Sequence, residues 1–163
     1  MVEVEPSRSE MENPMRTIRL EKVTVDVSVG RSGEPLEKAK KVLGQIANQK
    51  PCSKKARKTV KDFGIRKGEP IACVATLRGE RGRDFLRKAL EALGNKIRTS
   101  SFDEYGNFSF GIKEHIEIPG TKYVPELGIF GMNVAVTLER PGYRTKRRAT
   151  RRSEVGKRHR ISR

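Results

Sequence analysis

From Glu21 to Val29 the chain alternates without a fault, with Val23, Val25, Val27 and Val29 on one side and Lys22, Thr24, Asp26 and Ser28 on the other. A period of two commits this segment to a strand with one apolar and one polar face. Gly30 and Gly33 break it. The pattern returns twice. Ile71, Cys73, Ala75 and Leu77 share a face opposed by Thr76 and Arg78, and Met132, Val134, Val136 and Leu138 oppose Asn133, Ala135 and Thr137. Strands that are apolar on one side need a second layer, and two segments have the period to supply it. A helix is predicted from Pro35, a residue suited to a first helical turn, with Leu36, Ala39, Val42, Leu43, Ile46 and Ala47 as its apolar stripe. A second is predicted from Asp84 to Leu93 on Phe85, Leu86, Ala89, Leu90 and Leu93, with Gly94 as its C-terminal cap. Phe102 to Ile112 and His115 to Ile118 read as further strands. The expected fold is α+β: a two-layer sandwich, mostly antiparallel sheet, with helices packed on one face.

The 163 residues suffice for one domain with extensions. Lys and Arg number 36 against 20 Asp and Glu, a formal net charge of +16, which calls for a polyanionic partner. No apolar stretch approaches the roughly 20 residues that span a bilayer, so no membrane partner is expected. Residues 1–12 are acidic and polar rather than signal-like, and the expected location is cytoplasmic. Cys52 and Cys73 form no CxxC pair, and His115 and His159 are the only histidines. A four-ligand zinc site is therefore not expected, nor any metal or cofactor; the thiols read as reduced, with Cys73 buried in a strand. Three zones follow: an acidic leader at 1–15, an α+β domain at 16–140 with a basic loop at 50–68, and a basic C-terminal arm at 141–163.

Three features carry chemistry. The polar sheet face bears Lys22, Thr24, Asp26, Ser28, Thr76, Arg78, Asn133 and Thr137, mostly small hydrogen-bonding side chains that let an RNA backbone approach with its 2′-OH groups and phosphates. Periodicity alone favours an ordinary solvated face. With no aromatic residue on it to stack bases, folded or helical RNA suits it better than single strands. The loop carries Lys50, Lys54, Lys55, Arg57, Lys58, Lys61, Arg66 and Lys67, with Phe63 expected to be buried and to pin its base. The arm carries Arg144, Lys146, Arg147, Arg148, Arg151, Arg152, Lys157, Arg158, Arg160 and Arg163 against Glu154. Its charge points to counterion release from phosphates, and with so few apolar residues it should not fold alone. Gly79-Glu80-Arg81-Gly82 has the GxxG form of a KH clamp but reads as a strand-to-helix turn. No Walker or dinucleotide motif is present. His115 beside Glu114 and Glu117 reads as a structural or surface histidine, not a catalyst. An enzyme is not expected, and a non-selective nucleic-acid chaperone is the alternative to a specific RNA binder.

Ordered motifs narrow this further. Glu21-Lys22-Val23-Thr24-Val25 with Val29-Gly30, Gln49-Lys50-Pro51, Lys55-Ala56-Arg57-Lys58-Thr59-Val60 and Phe63-Gly64-Ile65-Arg66-Lys67-Gly68 appear in order. Pro70-Ile71, Thr76-Leu77-Arg78-Gly79-Glu80-Arg81, Phe102-Asp103, Gly106-Asn107-Phe108-Ser109-Phe110-Gly111 and Glu114 before Pro119 follow. Together they resemble the family of universal large-subunit ribosomal protein five, the 5S rRNA binder. Arg140-Pro141-Gly142-Tyr143-Arg144 and Lys157-Arg158-His159-Arg160 are similar to its archaeal and eukaryotic members. The resemblance covers nearly everything after Met15.

It implies a ribosome-bound structural protein that attaches 5S rRNA in the central protuberance, contacts large-subunit rRNA and neighbours other central protuberance proteins. By position it implies 5S rRNA contacts at Lys22, Gln49, Lys50, Thr76 and Arg78, and a loop of Lys54, Lys55, Arg57, Lys58 and Lys61 that approaches P-site tRNA. It further implies an intersubunit bridge at Phe102, Asp103 and Asn107 to a head protein of the small subunit, and rRNA contacts for Arg144, Lys146, Arg147, Arg148, Arg151 and Arg152. Asp26 stands where bacterial members carry asparagine. The resemblance turns the reading of the sheet face from solvated surface to RNA interface.

Overall fold

The computed structural model describes residues 13–121 and 123–161; most of the expected leader, and Arg163 of the arm, lie outside these. Five strands form one antiparallel sheet in the order β2-β3-β1-β5-β4: β1 is Arg19–Ser28, β2 Cys52–Lys55, β3 Pro70–Leu77, β4 Phe108–Ile112 and β5 Met132–Glu139. Two helices, α1 (Glu34–Ala47) and α2 (Gly79–Ala92), pack against β3 and β1 on the same side.

The alternation places the core. Val23, Val25 and Val27 are 0–2% exposed. They pair with Leu77, Ala75 and Cys73 of β3, and Val23 and Val25 with Val136 and Val134 of β5. Leu36, Ala39, Leu43 and Ala47 of α1 and Phe85 and Ala89 of α2 close over them. Tight turns at the element ends follow from glycine. Gly79, at φ +61, turns β3 into α2. Gly94, at φ +65, ends α2 in a Schellman motif in which Asn95 N–H donates to Leu90 O and Gly94 N–H to Glu91 O, both at 2.9 Å.

Several boundaries differ from expectation. α2 begins five residues earlier than Asp84, because Glu80 to Gly82 already form its first turn. The GxxG segment is therefore one turning glycine followed by helix, with Gly82 packed so that a Cβ would meet Leu77 O at 3.3 Å. β4 begins at Phe108 rather than Phe102, since the preceding residues curl into a turn held by Asp103. His115–Glu117 is a short 3-10 turn, not a strand.

The basic stretch at 50–68 is more ordered than a loop. Its start is the edge strand β2, with Cys52 opposite Val74 and Lys54 opposite Ala72. The rest is a hairpin-like excursion bridged by Val60 and Ile65. Ala56 N–H donates to Glu69 O and Gly68 N–H to Ala56 O, while the Glu69 carboxylate accepts from Arg66 N–H and the Ser32 hydroxyl. Phe63 does not pin the base. It is 76% exposed at the tip, because Gly64 N–H donates back to Lys61 O and the tight turn throws the ring outward.

The C-terminal segment folds back onto the domain. Tyr143 and Ile161 are 6% and 4% exposed. Ile161 N–H donates to Tyr143 Oη at 2.9 Å, Tyr143 Oη donates to His159 O at 3.2 Å, and a His159 ring nitrogen lies 2.8 Å from Pro141 O. Too polar to make a core of its own, the segment closes on itself through Tyr143, which holds His159 and Ile161 by hydrogen bonds.

Truncating Leu43, fully buried between α1 and the sheet, to Ala is expected to cost about 2–5 kcal/mol of unfolding free energy. Phe63→Ala is expected to stay within about 0.5 kcal/mol of wild type in the same urea titration.

Candidate nucleic-acid interface

On the side of the sheet away from the helices the described residues leave the middle uncovered, and the C-terminal segment crosses only one corner, where Arg147 pairs with Glu21 and Glu139 and Tyr143 and Lys146 share a cavity with Thr137. Its residues are fixed by register: Ser28, Asp26 and Thr24 of β1 lie beside Ala72, Val74 and Thr76 of β3, with Asn133 and Ala135 of β5 on the other flank. Lys22 pairs with Thr137, Ser109 and Gly111 extend the surface on β4, and Cys52 and Lys54 extend it on β2. Nothing on this face is bulkier than valine apart from its lysines, so a backbone can approach closely. Asp26 is the one anion in the middle. Its Oδ2 accepts from Ser28 Oγ at 2.9 Å, while Oδ1 is buried without a partner among the described residues.

Cations gather at the two ends. At one end, Arg78 lies one position beyond the Val23–Leu77 pair, which brings it level with Lys22. The β2–β3 register, with Cys52 opposite Val74, carries Gln49 and Lys50 to this same end. The five residues expected to contact 5S rRNA thus converge, although only Lys22 and Thr76 lie within strands. Glu21, the unpaired residue of a bulge between Leu20 and Lys22, holds this corner together. Its carboxylate, 9% exposed, pairs with Arg147 and lies 3.9 Å from Arg78, which keeps 61% of its side chain exposed.

The hairpin bearing Lys55, Arg57, Lys58 and Lys61 springs from the opposite end, with Lys54 on the face between. None of the five joins the first cluster: Lys54 stays on the face, and the other four form a separate, exposed cationic projection. Edge strand β2 has no signal in the sequence, because four residues with a single apolar member, Cys52, carry no period to read.

The other assigned residues divide by what already engages them. Arg147 is committed to Glu21 and Glu139, which removes it from the set of outward cations. Lys146 sits 4.6 Å from the Tyr143 ring centroid, and Arg148 donates through Nε to Arg151 O at 2.7 Å. Arg144, Arg148, Arg151 and Arg152 face solvent. In the turn expected to bridge subunits, Asp103 Oδ1 accepts from Tyr105 and Asn107 N–H, and Asn107 Oδ1 accepts from Leu138 N–H at 3.1 Å. Phe102 packs on Phe108 with ring centroids 5.1 Å apart. These three build the turn, and Glu104 and Tyr105 are what it presents outward.

His115 is structural. It is 3% exposed, and its Nδ1 accepts from Phe130 N–H at 3.3 Å. Cys73 is likewise sealed in the core, its thiol pushed up to about 11 by burial and by Asp26, whereas Cys52 is exposed on the open face. Among the described residues no helix is long and apolar enough to cross a membrane, and no three His, Cys, Asp or Glu side chains gather to hold a metal.

An α+β sandwich with one uncovered, small-residue face and cations at both ends defines a protein shaped for an extended polyanion. The sequence matches the family described as ribosomal protein L5 over residues 13–66, and the C-terminal part described for the same ribosomal family over residues 70–157. It is 55% identical to the large ribosomal subunit protein uL5 of Sulfurisphaera tokodaii over 91% of this chain and 84% of that protein. Identity to uL5 of Aeropyrum pernix is 54% over 93% of this chain and 79% of that protein, and to uL5 of Methanobrevibacter smithii 48% over 92% and 88%. The chain belongs to the ribosomal protein L5 family. It is a structural, non-enzymatic component of the large ribosomal subunit, with ribosomal RNA as its general partner.

Burial holds the His115 imidazole below its ordinary value of 6.5, against the opposing pull of Glu114. The unfolded chain therefore takes up this proton first, so stability is complete above the unfolded value and falls as pH drops through it toward the folded one. Denaturation midpoints measured between about pH 7 and pH 5 should fall less steeply for His115→Asn than for wild type. Equal slopes would contradict a buried neutral imidazole.

Proposed function

We propose that the open face recognises 5S rRNA and attaches it in the central protuberance, with Lys22, Gln49, Lys50, Thr76 and Arg78 as the recognition cluster. The observation that carries this reading is the convergence of those five residues at one end of a face free of bulky side chains. Short hydroxyl and amide groups read 2′-OH and phosphate positions of a folded RNA, and Arg78 supplies a planar fork for a phosphate or a base edge. The same proposal assigns the hairpin with Lys54, Lys55, Arg57, Lys58 and Lys61 to P-site tRNA. It assigns the 102–107 turn to a small-subunit head protein, and Arg144, Lys146, Arg148, Arg151 and Arg152 to large-subunit rRNA. Arg147, already paired, acts within the domain by fixing the arm to Glu21 and Glu139.

In functional terms the chain reads as one unit from residue 13 to 161 carrying two projections, the hairpin and the exposed part of the arm. A non-selective polyanion binder is the other reading, favoured by the outward arginines of the arm.

Competition binding separates them. In a Gln49→Ala/Thr76→Ala/Arg78→Ala variant, each lost contact is worth roughly 1 kcal/mol. Preference for 5S rRNA over tRNA should collapse while residual, salt-sensitive binding survives. Unchanged preference would move recognition off this face.

A further inference from the structure

Where the C-terminal segment folds back, it closes a cavity of about 500 Å³ whose lining includes five cations, Arg16, Arg140, Lys157, Arg158 and Arg160, and one acid, Glu104. The cavity is built rather than incidental. The Tyr143 latch to His159 and Ile161 fixes the short 3-10 turn Lys157–His159, so Lys157 and Arg158 sit on a closed loop and not on a swinging tail.

Arg140, at the end of β5, reaches under that loop. Its Nη1 donates to Arg160 O at 3.4 Å, but its Nε is buried with no partner among the described residues. Arg160 is held off by its own contacts, Nε to Val155 O at 3.0 Å and Nη2 to Glu154 at 2.9 Å. Arg140, Lys157 and Arg158 therefore face one concavity with a single carboxylate, Glu104, in its lining.

A buried guanidinium N–H without an acceptor is costly, and three converging cations add repulsion. A water molecule would satisfy the donor but not the charge. A phosphodiester satisfies both: its oxygens match the planar arginine donors, and its charge offsets the cluster. A neighbouring cavity of about 270 Å³ shares Tyr105 and Arg160 with this one and reaches Thr137, the open-face residue paired with Lys22. The two cavities thus adjoin, and Thr137 sets the smaller one at the margin of the open face.

We infer that this pocket seats a backbone phosphate of the RNA that covers the open face. The inference rests on the reading that this RNA is 5S rRNA. Because the latch orders the loop beforehand, the contact needs little further ordering on binding.

The test uses the full chain with the variant Lys157→Gln/Arg158→Gln. Both side chains are exposed and outside the core, so thermal unfolding should match wild type. The affinity for 5S rRNA is measured across a salt series, where each neutralised phosphate contributes about 0.7–0.9 to the log–log slope. The slope should shrink by about 1 to 2, with preference for 5S rRNA over tRNA kept. Arg140→Lys, which keeps the charge and loses the Nε donor, should weaken binding several-fold with little change in slope.

An unchanged slope in the double variant overturns the pocket. A drop seen only with a large-subunit rRNA fragment overturns its assignment to 5S rRNA. Failure of the face is read separately, from the Gln49/Thr76/Arg78 variant: if that variant keeps its preference while the double variant loses slope, the face reading falls, and with it the claim that the phosphate in the pocket belongs to an RNA lying on the face.

Discussion

Val23, Val25 and Val27 of the central strand are buried under two helices that lie on the same side, and that one-sided packing determines the rest of the molecule. With both helices used on one face, the described residues leave the middle of the other face bare, the C-terminal segment covering only one corner. A surface left bare in this way has to be tolerable in water and still useful to a partner, and its residues meet both needs. Thr24, Ser28, Thr76, Asn133 and Thr137 hydrogen-bond to water or to RNA with equal ease. The small apolar members, Ala72 and Val74, lie low among their neighbours at 6% and 9% exposure. The cations gather toward its ends, so their long side chains leave the middle of the face open to close approach.

The polar edges of the domain are held by a few long-range contacts. Glu21 sits at a bulge in β1, shielded from solvent, and ties Arg147 of the folded-back segment to the corner where Arg78 lies. Breaking such a pair by removing one partner leaves a partly desolvated charge, which is more costly than the pair is stabilising. Tyr143 then closes the same segment with two hydrogen bonds through one hydroxyl. The result is a division among the cations: Arg147 and Arg160 hold the protein together, while Arg144, Arg148, Arg151, Lys157 and Arg158 remain turned outward.

Much of this is legible in the residues. The period of two locates β1, β3 and β5, the helical stripes locate α1 and α2, and Gly94 marks the end of α2, because each signal is local and repeats within its own element. β2 carries no such repeat; it is a strand only because β3 offers it an edge. Phe63 departs from its expected burial since the fate of a lone aromatic depends on a neighbour the sequence does not name, and here the turn at Gly64 points it outward. The docking of the arm is illegible for the same reason: Tyr143 and Ile161 meet 18 residues apart, a contact without a periodic trace. Of the proposed recognition cluster, Lys22, Thr76 and Arg78 follow from alternation and Lys50 from the basic run it opens, whereas Gln49 comes only with the family resemblance.

The central claim, that RNA lies on the face away from the helices, has a reporter built into the chain. Cys52 is exposed on that face at β2, and Cys73 is buried behind it with its thiol pushed up to about 11, so alkylation of the native protein reads Cys52 alone. The direct measurement is the rate of Cys52 alkylation with and without saturating 5S rRNA, using heparin as the control polyanion. Protection by 5S rRNA should rise with occupancy and be absent with heparin. Alkylation at the free-protein rate while 5S rRNA is fully bound would contradict it.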